Sequence, residues 1–583
     1  MIRSYEGIHE DDTSAVLVLG AKIIDESGIV ESLQAAAEPV SGRGRPVELR
    51  QYDARAVLIA FFELAYSTRL PSITNLLTAL WFRYSEEHMT LIGLPGWRDE
   101  DRAARIKRDL SVHRNEYNRL STFFARMLQP IDDTPVTARK RLTNREYDAA
   151  TSQLAPELLQ RRQRRDDLLN RIVAASVDRQ LFEGYQGHLA VDEHQVLVAL
   201  YDRPTGVAPD ALRGGNPMSG YTRKQRRSGH AWAIGLTGAM SVYRPGQTPV
   251  PRVVFGIGFD KPSAASIDAA LTAIDAAEAN GLIPEPKANQ HKWFVGDMAY
   301  NIRDGFNAAL LERGWTQLMD YPAHWGTVHD LWQDGDSAGP RLVNGVVICP
   351  GIPGPVVRAL DLKRLPDNPT DEATHRRSLD LRRIQAATMP TNGRPVKTVE
   401  RGRGRPRKDA PAAETVFKLK VQCPAECKMI RCTLVPKSMD LDPAEFPMTS
   451  PPEDPPTACQ HLNSTVTMTE RQFKQYSALM SGSFEHDDFY RHTRSHNESF
   501  FSRLTHDTGG GLDERKVVQR RNSGASLILA LSVAVTNVKE QAAWRQRIRR
   551  NDGHVPAGAR ALRAKARRRT LRALDRKLAD SEN

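Results

Sequence analysis

Tyr490–Leu504 reads Y-R-H-T-R-S-H-N-E-S-F-F-S-R-L. One carboxylate, Glu498, stands among Arg491, His492, Arg494, His496 and Arg503, with Phe500, Phe501 and Leu504 close by. On a helix Arg494 and Glu498 share a face four residues apart, and Phe501 and Leu504 can anchor that helix in a core. Two readings stand at this point. Glu498 is either an ion-paired surface acid or a metal-binding carboxylate beside groups that hold a polyanion. Glu485, in a similarly mixed stretch, is its rival if the helix begins earlier. The Arg-x₃-Glu spacing and the F-F-S-R-L that follows favour Glu498.

Upstream, the text alternates between strand and helix periods. Gly187–Leu200 (G-H-L-A-V-D-E-H-Q-V-L-V-A-L) is strand-like and embeds Asp192. A basic, Gly-rich hairpin region follows at Gly214–Gly229, then strands at His230–Ser241 and Val253–Gly258. Ser263–Asn280 is Ala-rich and helical, with Ser263 able to cap it. Lys292–Asp297 (K-W-F-V-G-D) is a buried strand ending on an acid, Arg303–Arg313 a helix closed by Gly314, and Gln317–Asp320 a short strand. The order β-β-β-α-β-α-β predicts an α/β core with a mixed sheet. In such sheets ligands gather at strand ends, and an Asp flanked by apolar residues is costly to bury unless paired or metal-bound. Asp192 and Asp297 each carry two readings, a hydrogen-bonded structural Asp or a metal ligand. With Glu498 they make a candidate carboxylate triad, whose all-oxygen chemistry suits Mg²⁺ or Mn²⁺ rather than Zn²⁺.

The remaining text sets the domain plan. Residues 1–48 are a weakly patterned segment and a linker (S-G-R-G-R-P), and 49–180 an all-helical domain for DNA binding, dimerisation or plain scaffolding. The first part of the α/β core is 187–320. Residues 321–488 are long and Pro-rich, and read as an inserted subdomain, because so long a structureless loop is implausible in a compact domain. V-N-G-V at 343–346 hints at a β-hairpin there. C-terminal helices at 489–540 complete the core, and 541–583 is a basic tail.

At 583 residues there is room for several cores, and 26% charged with 40% apolar residues argues against global disorder. The net charge of +12 points to a polyanionic partner, nucleic acid before membrane. It is concentrated in the tail, where Gln541–Asn583 carries 13 Lys/Arg against 4 Asp/Glu. Five cysteines are no disulfide framework, the N-terminal text lacks an apolar signal segment, and the longest apolar run, Leu527–Val535, is too short to span a bilayer. A cytoplasmic protein without membrane contact is expected.

The order strand-Asp, strand-Asp, long insertion, helix-Glu resembles the DDE transposases of bacterial insertion sequences, which have a ribonuclease H-like catalytic core. The last segment is similar to their C-terminal signature: R-S-H-N-E-S-F-F-S-R-L-T, then E-R-K-V-V-Q-R-R-N-S-G-A-S-L-I-L-A-L-S-V-A-V-T-N. Arg494-x₃-Glu498 matches the arginine-to-glutamate spacing of one group. That group has a tyrosine three positions before the arginine and a lysine seven after the glutamate; here Tyr490 is one position early and Thr505 stands at the lysine's place. The resemblance covers roughly residues 187–540. It implies cleavage at element ends and transfer of 3′-ends into target double-stranded DNA, through two metal ions about 4 Å apart. Asp192 would bridge both ions, with Asp297 and Glu498 on one each. Arg494, His496 and Arg503 would hold DNA phosphates, and a homodimer would assemble on DNA. A silent DNA-binding derivative and a nuclease without strand transfer are the alternatives.

Two weaker signals remain. R-G-R-G-R-P-R-K at 401–408 resembles an AT-hook, which would send Arg405, Arg407 and Lys408 into a narrow A·T minor groove; a basic linker is the plainer reading. Cys423, Cys427, Cys432 and Cys459 offer ligands for one structural Zn²⁺, at spacings looser than a paired knuckle, with partly buried free thiols as the alternative.

Overall fold

The computed structural model describes residues 12–37, 52–135, 142–152, 154–198, 208–212, 216, 218–223, 230–244, 246–262, 266–286, 291–320, 328–331, 333–334, 337–352, 384–400, 414–506, 512, 517–551 and 554. The side chains of a few of these, 484, 492 and 495–497 among them, are outside that description. The chain forms two compact units. One comprises Met1–Tyr243, Gln247–Lys287 and Ser495–Pro556, and the other Arg244–Gly246, Ala288–Arg494 and Ala557–Asn583.

The first unit begins with helices: α1 (Thr13–Ser27), α2 (Ile29–Ala35), α3 (Ala54–Tyr66), α4 (Ile73–Thr78), α5 (Glu86–Leu91), α6 (Glu100–Arg108), α7 (Leu110–Met127), α8 (Asn144–Ser152) and α9 (Pro156–Ala175). Their starts are written in the sequence, since Asp12, Asp53, Ser72, Asp99 and Asp109 each cap a first turn with a side-chain oxygen. From Ala56 to Tyr66 every residue of α3 is buried, as its all-round apolar text demands. Its one acid, Glu63, is held by Ser67 Oγ at 2.7 Å, the Tyr84 hydroxyl at 2.9 Å and the Arg83 guanidinium. The text at 1–40 reads as weakly patterned, yet α1 packs on α3 and α9 through Val16, Leu17, Ile23 and Ile24.

Strands β1 (His188–Leu197), β2 (Gly220–Arg223), β3 (His230–Val242) and β4 (Val254–Asp260) follow, with β1, β2 and β4 all antiparallel to β3. Helix α10 (Ile267–Ala279) lies on β4. A Cβ on Gly256 would stand 2.0 Å from the Ala273 carbonyl oxygen and one on Gly258 2.1 Å from that of Ala269, so the Gly-Ile-Gly text of β4 is what lets an Ala-faced helix come this close. Two asparagines finish β4 in place of a strand. Asn170 of α9 bonds both the N–H and the carbonyl of Ile257, at 2.7 and 2.9 Å, and Asn537 does the same at Val254, at 2.8 Å each. Asn537 belongs to the last long helix of the chain, α15 (Asn522–Arg549), in which Asn522–Val538 are all buried and which packs on α3 and α9. Helices α1 and α15, early and late in the chain, therefore share one apolar core.

In the second unit β5 (Lys292–Gly296) and β6 (Trp315–Met319) pair in parallel, with α11 (Met298–Ile302) and α12 (Phe306–Glu312) between them in sequence. The expected hairpin is present: β8 (Arg341–Val343) turns through Asn344 (φ 47°) and Gly345 (φ 90°) into β9 (Val346–Ile348), and β7 (Val328–Asp330) pairs with β8. Both turn residues take the left-handed φ that a tight hairpin requires and that Asn-Gly supplies at least cost. A second sheet joins β10 (Val396–Glu400), β11 (Glu414–Gln422) and β12 (Asn463–Thr469), all antiparallel. Helix α13 (Glu470–Gln475) closes on it, with Phe473 stacked on Phe417. Leu342, Val347, Phe417, Leu419, Val466 and Met468 form this unit's own core. The long helix α14 (Phe484–Thr505) contains the division between the units, at Arg494/Ser495. The protein is thus a multidomain mixture of helices and sheet, helices first, with strands paired in both senses. Among the described residues no helix is long and apolar enough to cross a membrane.

Candidate active site

Asp192 sits mid-strand in β1, opposite Gly238 of β3, and accepts the Glu193 N–H at 2.9 Å. Directly opposed residues of an antiparallel pair project to the same face, as do residues two apart on one strand. Asp192, His194 and the bare position of Gly238 thus share a face. Phe501 occupies that face: its Cζ lies 3.2 Å from where a Gly238 Cβ would be, and its ring stacks on His194 at 5.1 Å and 8°. Phe501 is three residues beyond Glu498 on α14, so the exposed Glu498 stands one turn from this anchor.

Asp297 follows the last residue of β5 and takes the first-cap position of α11 without bonding its backbone. Its carboxylate instead accepts from Arg494 at 3.1 Å. Arg494 is 35% exposed and Asp297 33%, so the pair fixes geometry more than it stabilises, at under about 1 kcal/mol. Parallel pairing of Gly296 with Met319 puts Asp297 and Asp320 at the ends of neighbouring strands. Burial pushes the Tyr490 phenol well above its ordinary pKa; Arg494 opposes the shift, while Asp320 and Asp297 add to it. His486 stacks on Tyr490 at 5.6 Å. His486, Tyr490, Arg494 and Glu498 recur every four residues and form one polar stripe along α14.

The other expected contacts are placed as follows. Arg503 donates to the buried Glu540 of α15, and burial first, then Arg547 and Arg252, lowers its pKa. Glu485, the rival acid, is exposed in the first turn of α14 and accepts from Gln385 at 3.2 Å. The His496 side chain and Arg405, Arg407 and Lys408 lie outside the described residues. Another Gly-Arg-Pro copy, Gly393–Pro395, belongs to the folded second unit, where Arg394 packs on Gly314.

All five cysteines are free thiols. Cys423, Cys432 and Cys459 have the buried Cys349 as a neighbour, while Cys427 Sγ faces Gln422 Oε1 at 3.9 Å. Burial, with the neighbouring thiols, pushes Cys349 up to about 12 and Cys459 to about 11. Among the described residues no three His, Cys, Asp or Glu side chains stand at metal-ligand spacing. Asp192, Asp297 and Glu498 are each at least partly open to solvent, and carboxylate oxygens are of the type that suits hard cations.

Sequence reasoning gave His194 and Asp320 no role, and it named Tyr490 only as a tyrosine one position off the resembled spacing. The first two had signals: His194 is two residues from Asp192 on one strand, and Q-L-M-D repeats the strand-then-acid form of F-V-G-D. No protein-family model, no curated protein and no solved structure matches the chain.

Proposed function

We propose that the chain is a DDE-type transposase with a ribonuclease H-like core, which cuts double-stranded DNA at element ends and joins 3′-ends to a target. The observation that carries the reading is the seating of α14. Within the first unit, Phe501, one turn after Glu498, lies on the face of β1 that carries Asp192, which supports the pairing of these two acids.

In this reading Asp192, Asp297 and Glu498 would hold Mg²⁺ or Mn²⁺, which would supply activation of the attacking oxygen and charge stabilisation of the leaving one. The chain's own contribution is positional. The β1 and β5 backbones fix two carboxylates, and the Phe501–His194 stack fixes the rotation of α14 and so the direction of Glu498. Arg494 sets the position of Asp297 and, with His496 and Arg503, offers donors to a phosphate. The enzyme would act as a homodimer on DNA, in the cytoplasm. A structural Zn²⁺ on Cys423, Cys427, Cys432 and Cys459 is a separate proposal that metal analysis of the purified protein decides.

The test is Mg²⁺-dependent cleavage of duplex DNA by Asp192→Ala, Asp297→Ala and Glu498→Ala. Each is expected to lose cleavage and keep DNA binding; a variant that still cuts removes its residue from the site. Transfer of a labelled oligonucleotide 3′-end into plasmid DNA separates a transposase from a nuclease of the same fold.

A further inference from the structure

Helix α7 of the first unit has an outer face unlike an ordinary solvated one. Its inner face buries Glu116, Leu120 and Phe124, with Glu116 fixed by Tyr52 at 3.1 Å, Arg119 at 3.1 Å and Arg102. On the opposite side Ser111, Arg114, Asn115, Asn118, Thr122 and Arg126 are all exposed. At 100° per residue these six fall within about 60° of one line, a stripe about 22 Å long. The stripe contains no carboxylate and no lysine. Solvated helix faces are normally built from Glu, Lys and other strong helix formers, whereas Asn, Ser and Thr are poor ones. Three of the six positions, Asn115, Asn118 and Thr122, therefore hold residues that helix stability does not favour, while the Ser111 hydroxyl donates to the capping Asp109 at 2.6 Å; the other five side chains can donate hydrogen bonds.

The approach to this face is basic. Helix α6 ends in the exposed Arg105, Lys107 and Arg108, and one extended residue, Asp109, separates it from α7. Leu110, the first residue of α7, is 86% exposed.

We infer that α7 is a reading helix for duplex DNA, with its Arg/Asn/Ser/Thr stripe in the major groove and the cationic end of α6 on the flanking phosphates. The chemistry fits that one partner. The major groove is about 12 Å wide and admits a helix, Asn pairs bidentately with adenine, Arg with guanine, and an exposed apolar side chain meets a thymine methyl. Asn115, Asn118 and Arg114 carry the discrimination, and Arg105, Lys107 and Arg108 carry affinity without sequence information. Glu116 cannot oppose DNA, because it is buried and neutralised by its two arginines. The inference rests on the DNA-binding half of the function proposed above and is independent of its chemistry.

The experiment is selection of bound duplexes from a randomised pool by the full chain in EDTA, where no metal-dependent step runs. Binding is then measured to the selected duplex and to a shuffled one. The wild type is expected to yield a consensus. Asn115→Ala with Asn118→Ala should cut the preference for the selected duplex by about tenfold or more while leaving shuffled-duplex binding unchanged. Both positions are exposed and Ala is the better helix former, so the fold should survive, and circular dichroism checks it. Arg105→Gln, Lys107→Gln and Arg108→Gln should weaken both duplexes alike and flatten the log–log salt dependence by about one unit per residue. A pool that yields no consensus, as an acidic protein partner would give, overturns the inference, and so does a double variant that keeps its preference. Failure of the Asp192, Asp297 and Glu498 variants to lose cleavage would leave this result untouched.

Discussion

At Gly238 the absent side chain is what admits Phe501, since a Cβ there would stand 3.2 Å from Phe501 Cζ and 3.3 Å from Val254 Cγ2. A Gly238→Val variant should displace the ring, cost about 1–3 kcal/mol, and cut cleavage by more than the stability loss explains, because Glu498 rides one turn away. Thermal denaturation and an activity assay on the same sample check it. Asp192, Asp297 and Glu498 were legible as residues because an acid inside an apolar strand, or among arginines on a helix, breaks the local pattern. Their neighbours were not. His194 looks like any mid-strand polar residue until Phe501 is seen lying flat on it, and that contact joins positions more than 300 residues apart in the chain. Tyr490 sits four residues before Arg494 rather than three, a spacing that keeps it on the same helix stripe.

Among elements, β4 depends most on chain it does not pair with. Its Gly256 and Gly258 accept α10 at backbone distance, so Gly258→Ala should drive the helix off or unfold the unit, a loss of about 3 kcal/mol or more. Its other polar groups end on Asn170 and Asn537. Replacing Asn170 by Ala leaves the buried Ile257 N–H and carbonyl without these partners, and denaturant titration should show a loss of about 2–4 kcal/mol. The strands, the Ala-rich helix and the Asn-Gly hairpin could all be read from local text, because period and turn chemistry are local properties. The asparagine bonds could not: Asn537 and Val254 are 283 residues apart, and an Asn within an apolar helix gives no sign of which strand it serves. Helix α1 was missed for a related reason, since its flanking segments carry no pattern and its partners α3 and α9 lie far along the chain.

At the scale of the molecule, the packing of α15 on α3 and α9 puts segments from early and late in the chain in one core, while described residues between Ala308 and Met480 build another. The second unit should also carry a pH signature. His291 is held below the ordinary 6.5 by burial first, then by Arg394 and Arg244. A depressed base pKa means that the unfolded chain takes the proton first, so its contribution to stability is present above about pH 6.5 and is lost as pH falls from there through the lower folded-state value. Melting between pH 7.5 and 5.5 should show this loss, and His291→Gln should reduce it. The central claim concerns three carboxylates from β1, the end of β5 and α14, and nicking of supercoiled plasmid in Mg²⁺ tests it most directly. Wild-type protein is expected to nick. Asp192→Ala, Asp297→Ala and Glu498→Ala should each fall by at least about 100-fold, the upper end of what a residue merely supporting a metal ligand costs, with DNA binding in EDTA unchanged. Nicking that survives any one of the three substitutions, or wild-type protein that binds DNA and never cuts it, would contradict the account.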